Sequence, residues 1–428
     1  MLSQIDVEAH GLSFTRDFTY QSRMNVYGMG QNVELNGVAR IDSAGPRLIL
    51  KDFRLGFQMA GLAVNQLRKD LPLMEVIKIE TVSQGEAVLE GVDVVLGPGG
   101  IKEMNSLNGN LMDAQVKFEP FQYSIDNIDL SVRLGATDFN IEQLFLLLAS
   151  GKIVAKARVE NYFEDNKTDF NVSVEDVRVE ELLKRQYMPL KVEGRLSGAL
   201  EGKAEGKDVN GLRKSAVVGA TVELKNGMIR DVNVLRIILS KIPFLPDLAE
   251  EIETRIPSSY QAQFKENHTL LNKVALNVRF EDEKIWIDML EVDSDVFLLK
   301  ANGSMNLDQN LYLDADVYIS KDFSIQLSGS YEEFTALLDD QGRIHIPFQP
   351  YEGQLMEFRP LPDITSIGRS ALKNKGKQEI KKAILKVLDI EENEEIIQEK
   401  GQASEEPPEN QPSQERLLIE GVFDAIFK

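Results

Sequence analysis

The sequence predicts a mainly β protein: an antiparallel-rich sheet with a few short helices and a helical, partly disordered C-terminal tail. Three observations carry that expectation. Apolar and polar residues alternate at period two in segment after segment, which places the apolar ones on one face of a sheet. Gly, Asn and Asp interrupt these segments at short intervals, as turn residues do. After Ile364 the alternation stops and runs of charge replace it.

The stretch from Leu190 to Leu239 organises the rest. Leu190, Val192, Leu196 and Leu200 alternate along a first strand, with Gly194, Gly198 and Gly202 among them. A polar turn is expected from Lys203 to Lys214. A second strand follows through Val218, Ala220, Val222 and Leu224, and Asn226-Gly227 signals a turn. Val232, Leu235, Arg236 and Leu239 then fall at helical spacing, and Pro243 and Pro246 end that helix.

This block resembles the C-terminal region of the AsmA-like proteins of bacteria with two membranes. The residues that carry the resemblance are Gly194-Arg195-Leu196-Ser197-Gly198-Ala199-Leu200-Glu201-Gly202-Lys203-Ala204-Glu205-Gly206 and, after a gap, the run from Gly219 to Leu235. The resemblance implies an elongated sheet curled lengthwise into a gutter, and kinship with bridge-like lipid-transfer proteins. It also implies an N-terminal helix in the inner membrane. No apolar run here approaches the ~20 residues that a spanning helix needs. The chain is therefore expected to be a fragment whose anchoring helix is missing.

Composition narrows the function classes. A net charge of −21 over 428 residues argues against nucleic acid as a partner, since phosphate binding takes clustered Lys and Arg. With no cysteine, disulfides, thiol catalysis and cysteine-based zinc sites are excluded together.

In chain order, residues 1–100 read as an N-terminal β region. Val33 to Ile41 alternates with a turn at Asn36-Gly37, and Leu48 to Phe57 continues past a bulge at Lys51-Asp52. Met59 to Asp70 has helical spacing through Leu62, Gln66 and Leu67. Gly97-Pro98-Gly99-Gly100 is the sharpest breaker and marks a boundary. Residues 101–360 form the AsmA-like β region. Within it Phe139 to Leu148 reads as a short helix capped by Asp138 or Asn140, and Val177 to Tyr187 as a strand running into a helix. An acidic helix is expected from Leu248 to Arg255, and a strand through Ser258, Tyr260, Ala262 and Phe264. The clearest strands are Val274 to Phe280, Ile285 to Met289 and Leu311 to Ile319, and Ala301 to Asp308 is another. Leu327 to Ser330 closes the β region.

Residues 361–390 carry a basic amphipathic helix, with seven Lys/Arg against two acids over 365–390. Two readings stand for it. Lys373, Lys377, Lys381, Lys382 and Lys386 suit an anionic membrane surface with Ile380, Ile384 and Val387 inserted; a helix packed on the end of the sheet fits the same pattern. Residues 391–415 form an acidic, disordered linker and 416–428 a terminal apolar helix.

No motif for catalysis is found. His10, His268 and His345 stand apart, and no nucleophile elbow, zinc helix or dinucleotide fingerprint occurs. Gly206 to Ser215 falls short of a phosphate loop, because Leu212 stands where the lysine should be. Asp293/Asp295 and Asp314/Asp316 supply too few oxygens for calcium and read as solvated strand faces. Trp286 reads as core. No metal and no cofactor is expected.

Roughly 25 short strands, each with one apolar face, must hide that face from water. A closed sandwich and a gutter lined with lipid both do so, and alternation does not separate them. With the resemblance, the expected function is non-catalytic: an envelope protein that conducts or shields phospholipid between inner and outer membranes. It would sit in the periplasm, with envelope proteins as further partners. The lipid-facing candidates are Val192, Leu196, Val218, Val222, Leu224, Val274, Leu276, Val278, Ile285, Ile287, Leu311, Leu313, Val317 and Ile319. The alternative is a scaffold that assists outer-membrane protein assembly by binding strands at its edges.

Overall fold

The computed structural model describes residues 2–28, 30–42, 47–65, 79–98, 100–118, 124–161, 164–183, 191–240, 260, 266–330, 332–335, 337–355, 361–363 and 365–367. The basic helix through Lys373 and Lys386, the linker, the terminal helix and the Leu248–Arg255 helix lie outside these residues. So do Ser258, Ala262 and Phe264. The chain divides into units Met1–Ile380 and Lys381–Lys428, and every described residue belongs to the first.

Nineteen strands belong to one sheet. They are β1 Leu2–His10, β2 Phe18–Val26, β3 Val33–Asp42, β4 Arg47–Gln58, β5 Ile79–Gly97, β6 Gly100–Glu103 and β7 Ser106–Phe118. Then come β8 Ser124–Gly135, β9 Asp138–Leu148, β10 Gly151–Glu160, β11 Asn166–Arg178, β12 Lys191–Gly206 and β13 Val217–Arg230. The last are β14 His268–Glu281, β15 Lys284–Asp293, β16 Phe297–Asn306, β17 Asn310–Ile319, β18 His345–Pro347 and β19 Tyr351–Gln354. The sheet is an antiparallel meander in which strands pair with their sequence neighbours. β5 takes both β6 and β7, and β17 takes both β18 and β19. Among the described residues no pairing joins the two edges, so the sheet is not closed into a barrel. The Gly97–Gly100 breaker joins β5 to β6 with those two glycines paired, and the sheet continues across it.

Several local expectations are corrected. Phe139 to Leu148 is strand β9, hydrogen-bonded on both sides. A register shift at Glu142-Gln143 separates the same-face residues Ile141 and Leu144 by three positions, and that spacing imitates a helix. Asn36-Gly37 is no turn but the interior of β3; a Cβ on Gly37 would collide with the Asp52 carbonyl oxygen, so only glycine fits there. Asn226-Gly227 is likewise interior to β13, with Asn226 at φ 49° where the register on β12 shifts. Lys203 to Lys214 is not a turn: β12 runs on to Gly206, and Val209–Ser215 is a helix that Asp208 caps by accepting from the Gly211 amide at 2.8 Å. Leu327 to Ser330 ends a helix, Lys321–Ser330, instead of a strand. Phe323 and Leu327 are buried while Ile325 between them is exposed, a helical and not a two-residue period. Tyr260 is helical rather than extended. The bulge at Lys51 is where the sequence places it, with Val38 opposite Asp52 and Ala39 opposite Leu50.

Alternate strands of a meander run in parallel, so its connections divide between two rims. The long ones, residues 59–78, 179–190, 231–267 and 320–344, follow β4, β11, β13 and β17 and all leave the same rim. The opposite rim carries shorter links, such as those at 98–99, 136–137, 282–283 and 307–309; helix Val209–Ser215 sits in the longest of them. We call these the helical rim and the hairpin rim.

Candidate functional site, a continuous apolar face

Residues directly opposite one another in an antiparallel sheet share a face. Following such pairs across the strands gives one row that never meets a polar side chain. It passes Met24, Val33, Phe57, Ala87 and Leu111 on β2 to β5 and β7. It continues through Leu130, Leu144, Ala155, Val172 and Leu200 on β8 to β12. It ends through Ala220, Val278, Ile287, Gly303 and Leu313 on β13 to β17. The reverse face has a matching polar row: Gln21, Asn36, Arg54, Glu90, Asn108, Arg133, Asn140, Arg158, Asp169 and Lys203. From β2 to β12 the sheet is two-faced along these rows.

Burial along the apolar face is uneven. From β2 to β8 protein side chains fill parts of it in two clusters, while Met24, Phe57, Ala87, Leu111 and Leu130 are half-buried. One cluster holds Phe18, Ala39, Leu50, Phe53, Val94 and Leu107; another holds Leu62, Val64, Val82, Ala114, Val116 and Ile128. At β16 and β17, Phe297, Val317 and Ile319 are buried, as are Phe323, Leu327, Phe334, Ile344 and Ile346 of the segment after β17. Between β9 and β15 the mid-strand apolar side chains are half-buried too, and Leu200 is 36% exposed. Full burial returns there near the helical rim, at Val177, Leu224 and Leu271 and at Leu235, Ile238 and Leu239 of helix Val234–Ser240.

The candidate residues divide along these lines. Val192, Leu196, Val218, Val222, Val274, Leu276, Val278, Ile285, Ile287 and Leu313 are half-buried on the apolar face; Leu224, Leu311, Val317 and Ile319 are buried in protein. Register brings Leu196, Leu224, Val274, Val292, Leu299 and Val317 into one further row. Members of the face outside the candidate set are the half-buried Leu144, Ala155, Phe170, Val172, Ala220 and Phe280 and the exposed Leu200. Their strands alternate too, but nothing local distinguishes the open part of the face from the filled parts.

Ion pairs tie neighbouring strands on the polar face. Arg54 meets Glu90 at 2.9 Å, Lys152 meets Glu175 at 3.3 Å and Arg279 meets Asp288 at 3.4 Å. Each is exposed and screened by water, so it adds little to stability. Hydrogen bonds from Lys273 and Lys225 hold the Glu223 carboxyl below its ordinary range. Trp286 is not core: it lies on this face, 37% exposed, with Lys284 Nζ 4.1 Å above its ring. His345 is not isolated, since its ring stacks on Tyr318 at 4.6 Å and its Nε2 lies 2.7 Å from Asp316 Oδ1. Arg343 covers the same tyrosine and grips Asp339 through two nitrogens. Burial works against ionisation of Asp339, yet hydrogen bonds from Arg343 and Gln341 keep its carboxyl below the usual range. Asp295 accepts from the Asn272 amide at 3.0 Å. Among the described residues no group of three or more acidic or histidine side chains could hold a metal, and no helix is long and apolar enough to cross a membrane.

The chemistry available is therefore that of a solvent: an aliphatic surface, backed by a charged one, on a single layer of backbone. No curated protein and no solved structure matches the chain. The AsmA family model matches residues 102–285, from β6 into β15, which takes in most of the half-buried stretch. That family is not a known enzyme family, and the match suggests an envelope role in lipid transport or in assembly. Over residues 102–285, then, the chain is similar to the AsmA family.

Proposed function

We propose that the apolar face solvates phospholipid acyl chains, so that the protein conducts or shields lipid between the inner and outer membranes from a position in the periplasm. The observation that supports this most is the row from Met24 to Leu313, apolar throughout yet fully buried only at Val33. A compact sandwich would bury that row throughout. Each methylene withdrawn from water onto such a surface contributes ~0.8 kcal/mol. The charged headgroup stays in water, because an unpaired charge in apolar surroundings is strongly unfavourable. No step needs a nucleophile, a metal or a cofactor. Mass spectrometry of lipid extracted from the purified protein is the test. Phospholipid at a fixed ratio to protein is expected; protein that is folded and free of lipid would overturn the proposal.

A second reading, a scaffold for outer-membrane protein assembly, draws on β1. Among the described residues that strand pairs only with β2, and its Val7 is 69% exposed. An edge of this kind accepts a further strand.

A further inference from the structure

We propose that the link between β1 and β2, residues 11–17 on the hairpin rim, is a membrane-contacting tip that inserts Leu12 and Phe14 into the surface of a zwitterionic phospholipid bilayer. The inference does not rest on acyl chains lying along the apolar face, because it concerns a different surface. Leu12 is 64% exposed and Phe14 71% exposed, more than any other leucine or phenylalanine among the described residues. Four residues on, Phe18 is buried in the cluster with Ala39 and Phe53. The chain thus turns from outward to inward within one short segment.

Local structure holds these two side chains out. Gly11 turns the chain out of β1 at φ 72°, a left-handed conformation that a side chain would strain. Ser13 Oγ then accepts from the amides of Thr15 and Arg16, both at 3.2 Å, and closes a tight turn around Phe14. At the far end Asp17 accepts from Arg40 Nε at 2.6 Å and lies 3.2 Å from Lys51 Nζ, which fastens the link to β3 and β4. On a slack loop Leu12 and Phe14 would fold back out of water. Here the link is fixed at both ends and in the middle.

The chemistry of the tip suits a bilayer. No residue from Gly11 to Thr15 is charged, so the tip enters the headgroup layer without stranding an ion. Arg16 follows. Because Asp17 is engaged by Arg40 and Lys51, the Arg16 guanidinium has no ion-pair partner among the described residues and is free to meet a lipid phosphate. A protein partner fits less well: one phenylalanine and one leucine offer under ~500 Å², short of the ~800 Å² that each partner buries in a stable interface. A bilayer has no such threshold, since each methylene that enters adds to affinity. The charge of the whole chain selects the lipid. At −21 the molecule is repelled by an anionic surface, and one arginine does not offset that.

The test is flotation of the full chain with vesicles of phosphatidylethanolamine and phosphatidylcholine. Binding is expected to persist at high salt, and vesicles rich in phosphatidylglycerol should be bound no better. In the double variant Leu12→Ser, Phe14→Ser the bound fraction should fall about tenfold or more, with the melt and the lipid load of the purified protein unchanged. Trp286 is the chain's one tryptophan, so Phe14→Trp combined with Trp286→Phe places a single reporter at the tip. Its emission should shift to the blue on vesicles and be quenched by lipid brominated near the headgroup. No binding by the wild type, binding that the serine variant keeps, or a reporter that vesicles leave unchanged would each overturn the proposal. Self-association without vesicles that the serine variant loses would assign the tip to a second copy and overturn it too. Purified protein free of lipid would overturn the acyl-chain reading alone.

Discussion

Tyr20 shows how residue-level burial carries information that alternation does not. It lies on the apolar face of β2, packed against the cluster around Ala39 and Phe53. Burial, helped by the negative charge of Asp52, pushes its hydroxyl up to about 12 from an ordinary 10. The unfolded chain therefore loses this proton first as pH rises. Stability is unaffected below about pH 10 and falls between 10 and 12. Tyr20→Phe should lose less stability than the wild type between pH 9 and pH 11, read by urea unfolding at the two pH values. An equal loss in both proteins would show that Tyr20 is not buried in this way. Trp286 makes the complementary point. Its size suggests core, but its place in the alternation (with Lys284 and Asp288, opposite Ile285 and Ile287) puts it on the charged face.

At the scale of elements, the alternation is legible in the sequence, and what is lost is every place where a bulge disturbs it. Val274 to Phe280, Leu311 to Ile319 and the kink at Lys51 can be read directly. Phe139 to Leu148 cannot, because a bulge turns a two-residue period into a three-residue one. Asn-Gly misleads for a related reason. The dipeptide reports a need for left-handed or crowded backbone, which a bulge meets as well as a turn does. Helix Val234–Ser240 is legible from its spacing, and its attachment makes a prediction. Asn233 is buried, accepts from the Arg236 amide at 2.9 Å and donates to the Glu266 carbonyl at 3.0 Å. Asn233→Ala should cost about 1–2 kcal/mol by removing a helix cap and a buried tie. Hydrogen exchange of residues 234–240 should rise accordingly, with little change at β10 or β11. Unchanged exchange in the helix would mean that the cap does not hold it.

Over the molecule as a whole, the candidate face is readable only in part. Period-two patterning names residues that share a face, but it cannot say which of them the protein itself covers. Val317 and Val278 look alike in sequence. The first is fully buried and pairs with Ile346 of β18; the second is half-buried in the middle of the sheet. That difference comes from long-range register and from what packs over each residue, which local patterning does not carry. The most direct test is therefore made at half-buried positions of the apolar face. Val278 and Ile287 are directly paired on β14 and β15, and both are half-buried. In the double variant Val278→Asp, Ile287→Asp, the new carboxylates have water within reach, so the sheet should still melt cooperatively. Acyl chains would meet uncompensated charge there. The measurement is the ratio of bound phospholipid to protein, taken beside a circular-dichroism melt. The account predicts a folded double variant whose lipid falls to a tenth or less of the wild-type load, and a folded variant that keeps its full load would contradict it.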